Sequence, residues 1–105
     1  MAVVYVPRNE SVEHWYADCW EATFIAFLHK SVGLPTAKCG DFLRIPASAP
    51  AAATVVASVK IGKLTYEQIV KIMKSEYRYE AGPYEKVDVA RKWQKFLHEC
   101  GGYVS

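Results

Sequence analysis

Residues 18–32 read DCWEATFIAFLHKSV, and this stretch decides the fold because it has the pattern of a buried helix. Asp18 is a favourable N-cap, so the helix is predicted to run from Cys19 to about Ser31, with Gly33 and Pro35 as stop signals. The inner stripe is predicted to comprise Trp20, Phe24, Phe27, Leu28 and Val32. Few residues are expected to face solvent: Glu21, Thr23, His29 and Lys30. The pattern predicts a central helix that is buried on most sides.

Short apolar segments outside this helix predict strands. Residues 3–6 are mainly β-branched and precede Pro7, which is typical of an edge strand. Residues 54–61 are also β-branched and end at Gly62, so they predict another strand. Residues 41–45 fit either a strand or one helical turn.

The remaining N-terminal segments predict irregular structure. Residues 11–16 allow a helical turn, and residues 34–39 are predicted to form a loop. Residues 46–53 are small and contain prolines, so they predict a flexible connector or a loop over the core.

Two further helices are predicted in the C-terminal half. The first begins after Thr65 as N-cap and ends near Tyr77, with an inner stripe of Ile69, Ile72 and Met73. The second runs from about Tyr84 to Glu99 and is stopped by the glycines at 101–102, which are followed by a short tail. Its inner residues are predicted to be Val87, Ala90, Trp93, Phe96 and Leu97. Residues 1–105 are therefore expected to form one α+β domain.

Composition restricts the class of protein. The chain has 105 residues and a net charge of +2, which is too small to indicate nucleic-acid binding by itself. Three cysteines are too few and odd in number for a secreted disulfide framework. The N-terminus lacks the pattern of a secretion signal, and no apolar run is long enough to span a membrane. We therefore expect a cytoplasmic protein that does not associate with membranes.

Cys19 lies at the predicted helix N-terminus, where the helix dipole favours a thiolate. Such a cysteine is a candidate nucleophile if a histidine base lies nearby. His29 follows it by ten residues on the same helix, about 15 Å away, which excludes it. His14 is close in sequence, and His98 would approach through tertiary packing, so both are candidate catalytic partners. The alternative is a buried structural cysteine.

The stretch from His14 to Trp20, HWYADCW, together with the apolar helix resembles the nucleophile segment of papain-like cysteine proteases. The likeness is greatest to the small leader proteases of RNA viruses. The resemblance implies that Cys19 is the nucleophile and that an oxyanion donor precedes it by five or six residues, where this chain has His14 and Glu13. It also implies a downstream catalytic histidine, for which His98 is the candidate, or an inactive form that functions by binding.

The sequence gives little indication of a metal, cofactor or nucleic-acid site. Cys39, Cys100 and His98 lack metal-ligand spacing, so no metal site is predicted, and no motif indicates a cofactor. The last predicted helix carries a basic face that is a candidate nucleic-acid surface: Arg91, Lys92 and Lys95. Interleaved acidic residues favour a mixed, solvated face instead.

Aromatic residues between the last two helices suggest a protein-binding patch. Tyr77, Tyr79 and Tyr84 are the candidates for exposure there. The sequence as a whole favours a small accessory protein, of the kind found in viruses and mobile elements, that binds another macromolecule. A protein partner is expected. The alternatives are a cysteine protease or its remnant and a nucleic-acid binder, and the oligomeric state stays open.

Overall fold

The computed structural model describes residues 2–74 and 83–105, which combine helices with two antiparallel sheets. In chain order the elements are β1 (Ala2–Pro7), β2 (Trp15–Asp18), α1 (Cys19–Ser31), β3 (Ala37–Cys39), β4 (Phe42–Arg44), β5 (Ser48–Pro50), α2 (Ala51–Gly62), α3 (Tyr66–Ile72), α4 (Pro83–Glu99) and β6 (Gly102–Val104). The predicted α+β class is confirmed, with an additional helix, α2, and additional strands.

Helix α1 has the predicted bounds and the predicted cap. The Asp18 carboxylate accepts a hydrogen bond of 2.8 Å from the backbone N–H of Glu21, which satisfies a donor that the helix itself leaves unpaired. The chain turns away at Gly33, whose φ of 76° is in the left-handed region that glycine adopts easily. Capping and the stop signal are local properties, so the sequence alone predicts both ends.

The central position of α1 is confirmed, but its exposed residues differ from the prediction. The helix packs against β1, β2, β4 and the other three described helices. Thr23 and His29 were expected at the surface and are buried, whereas Trp20 was expected in the core and is 48% exposed. Neighbours surround the middle of the helix and leave its first turn open, so Trp20 faces solvent although it is apolar.

Strand β1 lies inside a sheet of order β2-β1-β6-β5, so the prediction of an edge strand is wrong. Its first part pairs with β2 and its last residues, Val6 and Pro7, pair with β6. Pro7 ends β1, where the neighbouring strand is β6 from the C-terminus of the same chain. Local sequence around Pro7 does not reveal this long-range pairing. No helix is present over residues 11–16, and strand β2 begins at Trp15.

A second sheet is the hairpin of β3 and β4. Residues 34–36 are irregular as predicted, whereas residues 37–39 of the predicted loop form β3, and the strand alternative is correct for residues 42–44. Cys39 pairs with Phe42, so Gly40 and Asp41 form a two-residue connection. Gly40 has a φ of 61°, as tight hairpins require. The hairpin packs against α1 through β4.

Helix α2 contradicts the strand predicted for residues 54–61, and β5 together with the first residues of α2 replaces most of the flexible connector or loop predicted for residues 46–53. The buried positions Thr54, Ala57, Ser58 and Ile61 follow the three- and four-residue spacing of a helix. The β-branched residues between them point outward: Val55, Val56 and Val59. Tertiary burial of one helical face therefore outweighs the strand propensity of these valines.

The two remaining helices follow the prediction closely. Thr65 forms a capping box with Gln68 at the start of α3, and Ile69, Ile72 and Met73 are buried. The predicted end of this helix at Tyr77 lies outside the described residues. Helix α4 buries the residues expected to face inward, with Val87 only half-buried: Ala90, Trp93, Phe96 and Leu97.

The C-terminal tail is a strand, contrary to the prediction of a simple helix stop. Gly101 and Gly102 have φ values of 66° and 96°, and β6 then enters the sheet between β1 and β5. Tyr103 is buried in the aromatic core, 5.4 Å from the ring of Tyr5, and its hydroxyl donates to the Pro46 carbonyl at 3.0 Å. The last residues of the chain thus complete the core and the sheet.

Candidate functional site

Cys19 is the first residue of α1 and is half-buried, while Cys39 is exposed and Cys100 is buried. All three thiols are free. In the part of the chain that the structure describes, the Cys19 thiol makes no hydrogen bond to a histidine. The helix N-terminus predicted for Cys19 is therefore present, whereas a base beside it is not.

Cys19 lies near the start of β1, whereas His14 and His98 lie toward the end of this strand. Asp18, which precedes Cys19, pairs with Ala2 at the start of β1. His98 is in the last turn of α4, whose end is held by Asn9, just after β1: the Asn9 side-chain amide donates to the Glu99 carbonyl at 3.1 Å. Strand β1 separates these two ends by about 17 Å at 3.3 Å per residue.

His14 is separated from Cys19 by the whole of β2, whose four residues span about 13 Å because the strand is extended. Its ring stacks on Tyr16 instead, with ring centroids 6.3 Å apart. The structure therefore does not bring Cys19 together with either candidate base. Sequence proximity suggested the His14 pairing, and the extended conformation of β2 removes it.

His29, predicted to be solvated, is part of the core. Its Nε2 accepts a hydrogen bond of 3.0 Å from the indole N–H of Trp93, which requires the neutral ring with its proton on Nδ1. Burial lowers the pKa of His29 to about 4, because the charged form would lose its hydration. Burial likewise raises the pKa of Tyr5 to about 12 and that of Tyr103 above its ordinary value.

The basic residues of α4 do not form one surface. Arg91 and Lys95 line a groove of about 370 Å³ between α2 and α4, together with His98, Ser58 and Val59. Lys92 lies elsewhere on the helix and forms an exposed ion pair with Asp88 at 3.0 Å. The structure thus places Arg91 and Lys95 in one groove. His98, predicted from the sequence as a catalytic candidate, lines the same groove.

The tyrosines predicted to form an exposed patch belong to the segment between α3 and α4 and to the start of α4. Tyr77 and Tyr79 lie outside the described residues. Tyr84 belongs to the first turn of α4, for which the structure describes the backbone. The aromatic patch expected between the last two helices therefore stays a prediction.

A cleft of about 570 Å³ lies between one side of α1 and the β3–β4 hairpin that packs on this helix, and we call it the aromatic cleft. One wall is the exposed side of α1 and the other is the hairpin with its Gly40–Asp41 connection. The residues that line it are Trp20, Thr23, Phe27, Lys30, Lys38, Gly40, Asp41, Phe42 and Leu43. Neither a cysteine nor a histidine is among them.

Trp20 and Phe42 are the exposed aromatic residues of the aromatic cleft. Their ring centroids are 6.3 Å apart and the rings are nearly perpendicular, at 83°. Their exposed fractions are 48% and 38%, so this pair presents apolar area to solvent. Four other aromatic residues instead pack around Trp93 in the core: Tyr5, Trp15, Phe96 and Tyr103.

Positive charge surrounds these rings. The ammonium of Lys30 lies 5.9 Å from the Phe27 ring centroid, and the guanidinium of Arg44 lies 5.3 Å from that of Phe42. Arg44 Nη1 also donates to Thr23 Oγ1 at 2.9 Å, which holds the arginine beside the cleft. With Lys38 on the hairpin, the cations outnumber the carboxylate of Asp41.

Sequence reasoning missed the aromatic cleft because it assigned Trp20 to the core. The Gly40–Asp41 pair between short apolar segments is a hairpin signal that was available in the sequence. The packing of that hairpin beside the first turn of α1 is a tertiary contact, so no local sequence pattern predicts it.

Among residues 2–74 and 83–105, no group of three metal-ligating side chains is close enough to hold an ion. Within the same residues, no helix has the length and apolar character needed to span a bilayer. Comparisons with protein families, with curated proteins and with solved structures find no match to this chain.

Proposed function

We propose that this protein acts by binding another protein and that the aromatic cleft is the contact surface. The observation that carries the proposal is the exposed pair Trp20 and Phe42, which lies in a concave site flanked by cations. Tryptophan and arginine are enriched at the energetic centres of protein interfaces, where a large ring fills a pocket on the partner. The exposed area of these rings contributes no burial to the protein's own core.

The chemistry of the cleft supports binding better than catalysis. The lining residues offer aromatic area, ammonium groups and one carboxylate, but no nucleophile paired with a base. Cys19 is adjacent to Trp20 in sequence, yet His14 and His98 lie toward the far end of β1. The protease-like segment around Cys19 is thus better explained as the start of a helix that presents Trp20.

The proposal is tested by quantitative affinity purification from cells of the source organism. Wild-type protein is compared with a Trp20→Ala/Phe42→Ala variant and with a Val55→Ala/Val56→Ala control, which removes exposed apolar area from α2 outside both the cleft and the α2–α4 groove. We expect a partner that is recovered with wild type and the control but not with the cleft variant. Equal recovery with all three proteins would contradict the assignment of the cleft.

A second candidate function, nucleic-acid binding, is favoured by the groove between α2 and α4. Arg91, Lys95 and His98 line it, and no acidic residue is among its lining residues. Cations along a groove can contact successive phosphates. Against this function, Arg91 already donates to the Leu64 carbonyl at 2.6 Å and so has fewer donors to offer.

The second candidate is tested with a fluorescein-labelled single-stranded and a double-stranded oligonucleotide. Binding through this groove would weaken steeply as salt rises, and Lys95→Glu would weaken it more than Lys92→Glu, which lies outside the groove. Absence of binding at low salt, or equal effects of the two variants, would rule out this surface.

A further inference from the structure

We propose that the occupant of the aromatic cleft is an acidic peptide segment of the partner that carries an apolar side chain. This inference rests on the proposed function and specifies the chemistry of the partner. The apolar side chain would lie against Trp20 and Phe42, and flanking carboxylates would lie near Lys30 and Lys38.

Charge is the first argument for an acidic occupant. Lys30, Lys38 and Arg44 surround the cleft, and Asp41 is the carboxylate among its lining residues. The two lysines have no ion-pair partner among the described residues, so each can pair with an incoming carboxylate without breaking an existing salt bridge. Complementary charge accelerates association and disfavours basic partners.

The arrangement of the rings is the second argument, and it favours a peptide over single-stranded nucleic acid. Bases stack on open, flat aromatic faces. Here Lys30 covers one face of Phe27, and Arg44 covers one face of Phe42. Trp20 and Phe42 are also nearly perpendicular, at 83°, so the two rings form a corner rather than a stacking platform. A corner accommodates a branched or aromatic side chain.

Arg44 is the third element, because it connects the cleft to the body of the protein. Its guanidinium donates to Thr23 on α1 and to the Leu43 carbonyl at 3.0 Å, so it bridges the hairpin and the helix. The corner is therefore held in place by contacts within the protein itself. A preformed site lowers the ordering cost of binding a flexible peptide.

The test is a selection of random twelve-residue peptides displayed on phage, followed by affinity measurements on the selected peptides. We expect enrichment of peptides with several Asp or Glu residues around an aromatic or branched apolar residue. Their affinity should fall about ten-fold or more in Trp20→Ala/Phe42→Ala and in Lys30→Glu/Lys38→Glu. The matched control Lys60→Glu/Lys63→Glu has the same charge change outside the cleft and should lower affinity much less.

The outcomes separate this inference from the proposed function. Selected peptides that need Trp20 and Phe42 but are not acidic, and that tolerate Lys30→Glu/Lys38→Glu, would overturn the inference and leave the proposed function intact. Selected peptides whose binding is insensitive to both cleft variants would contradict both. A labelled oligothymidylate that binds more tightly than the peptides, and is lost in both variants, would identify a nucleic-acid site instead. Far-ultraviolet circular dichroism confirms that each variant is folded.

Discussion

The indole N–H of Trp93 donates a 3.0 Å hydrogen bond to Nε2 of His29, joining the last long helix to the central one inside the core. Trp93 is fully buried and His29 is 5% exposed. The bond satisfies two polar groups that would otherwise be buried without partners. The bond requires the neutral form of His29, whose pKa is lowered by burial, so the stability of the fold depends on pH.

Acidification from pH 7 to pH 5 should destabilise the protein by about 2 kcal/mol through His29 alone. The pKa of His29 is about 4 in the folded protein and 6.5 when unperturbed. The unfolded chain therefore binds the proton first, and stability is lost as the pH falls from 6.5 toward 4. Urea unfolding at both pH values measures the loss.

His29→Gln is the matched variant, because its side-chain oxygen can still accept from Trp93 but does not titrate in this range. The difference in unfolding free energy between pH 7 and pH 5 should shrink in His29→Gln and persist in the exposed control His98→Gln. An unchanged pH dependence in His29→Gln would show that another group is responsible.

Trp93→Phe should destabilise the fold by about 1–3 kcal/mol, since it keeps an aromatic ring but removes the donor that His29 requires. Trp20→Phe should cost much less, because Trp20 is 48% exposed. Chemical denaturation of the two variants gives both values. Equal losses would contradict the assignment of Trp93 to the core and Trp20 to the surface.

Gly102→Ala should be more destabilising than Gly33→Ala, by about 1 kcal/mol or more. Both glycines have positive φ, 96° and 76°, so both substitutions strain the backbone. A Cβ at Gly102 would also lie 2.8 Å from the Ala49 carbonyl oxygen, whereas one at Gly33 meets nothing within 4 Å. Comparing the two unfolding free energies isolates the close approach of β6 to β5.

Val59→Ala should leave stability unchanged or raise it by a few tenths of a kcal/mol, because Val59 is 54% exposed on a helix and alanine has the higher helix propensity. Ile61→Ala, two residues away and fully buried, should cost about 2–5 kcal/mol. Denaturation midpoints measure both effects. A substantial loss in Val59→Ala would favour the strand that the sequence predicted at this segment.

Alkylation with iodoacetamide should follow exposure, with Cys39 fastest, Cys19 slower and Cys100 slowest. The rate at Cys19 should not change in His14→Ala or in His98→Ala, because neither histidine lies beside the thiol. Peptide mapping by mass spectrometry follows each cysteine separately. A rate at Cys19 that falls in either variant would restore the catalytic pairing implied by the protease resemblance.

The segments that were predicted correctly contain local sequence patterns that specify a helix end or a helix face. Asp18 caps α1 and Thr65 caps α3, in each case through a hydrogen bond within three residues. The apolar spacing of α4 likewise identifies its inner face, including Trp93 and Leu97. These features depend on neighbours along the chain, so residue order is sufficient to predict them.

Individual features of the aromatic cleft could be predicted from the sequence, but their arrangement in one site could not. The Gly40–Asp41 connection is a turn signal, and Trp20 and Phe42 are visible as aromatic residues. Their proximity follows from the packing of β4 on α1, which brings together residues about twenty positions apart. Exposure of Trp20 was likewise not predictable, because an apolar residue near a helix stripe normally indicates burial.

By itself, the sequence determined the α+β class, the ends of α1, the start of α3 and the inner face of α4, because hydrogen-bonded caps and helical spacing are local. Only the tertiary structure decided that the valine-rich α2 is a helix, that the C-terminal β6 lies between β1 and β5, and that Cys19 is apart from His14 and His98. These outcomes depend on which distant surfaces are buried against each other. Burial over a whole helical face outweighs the propensity of individual residues, and that free energy exists only in the assembled fold.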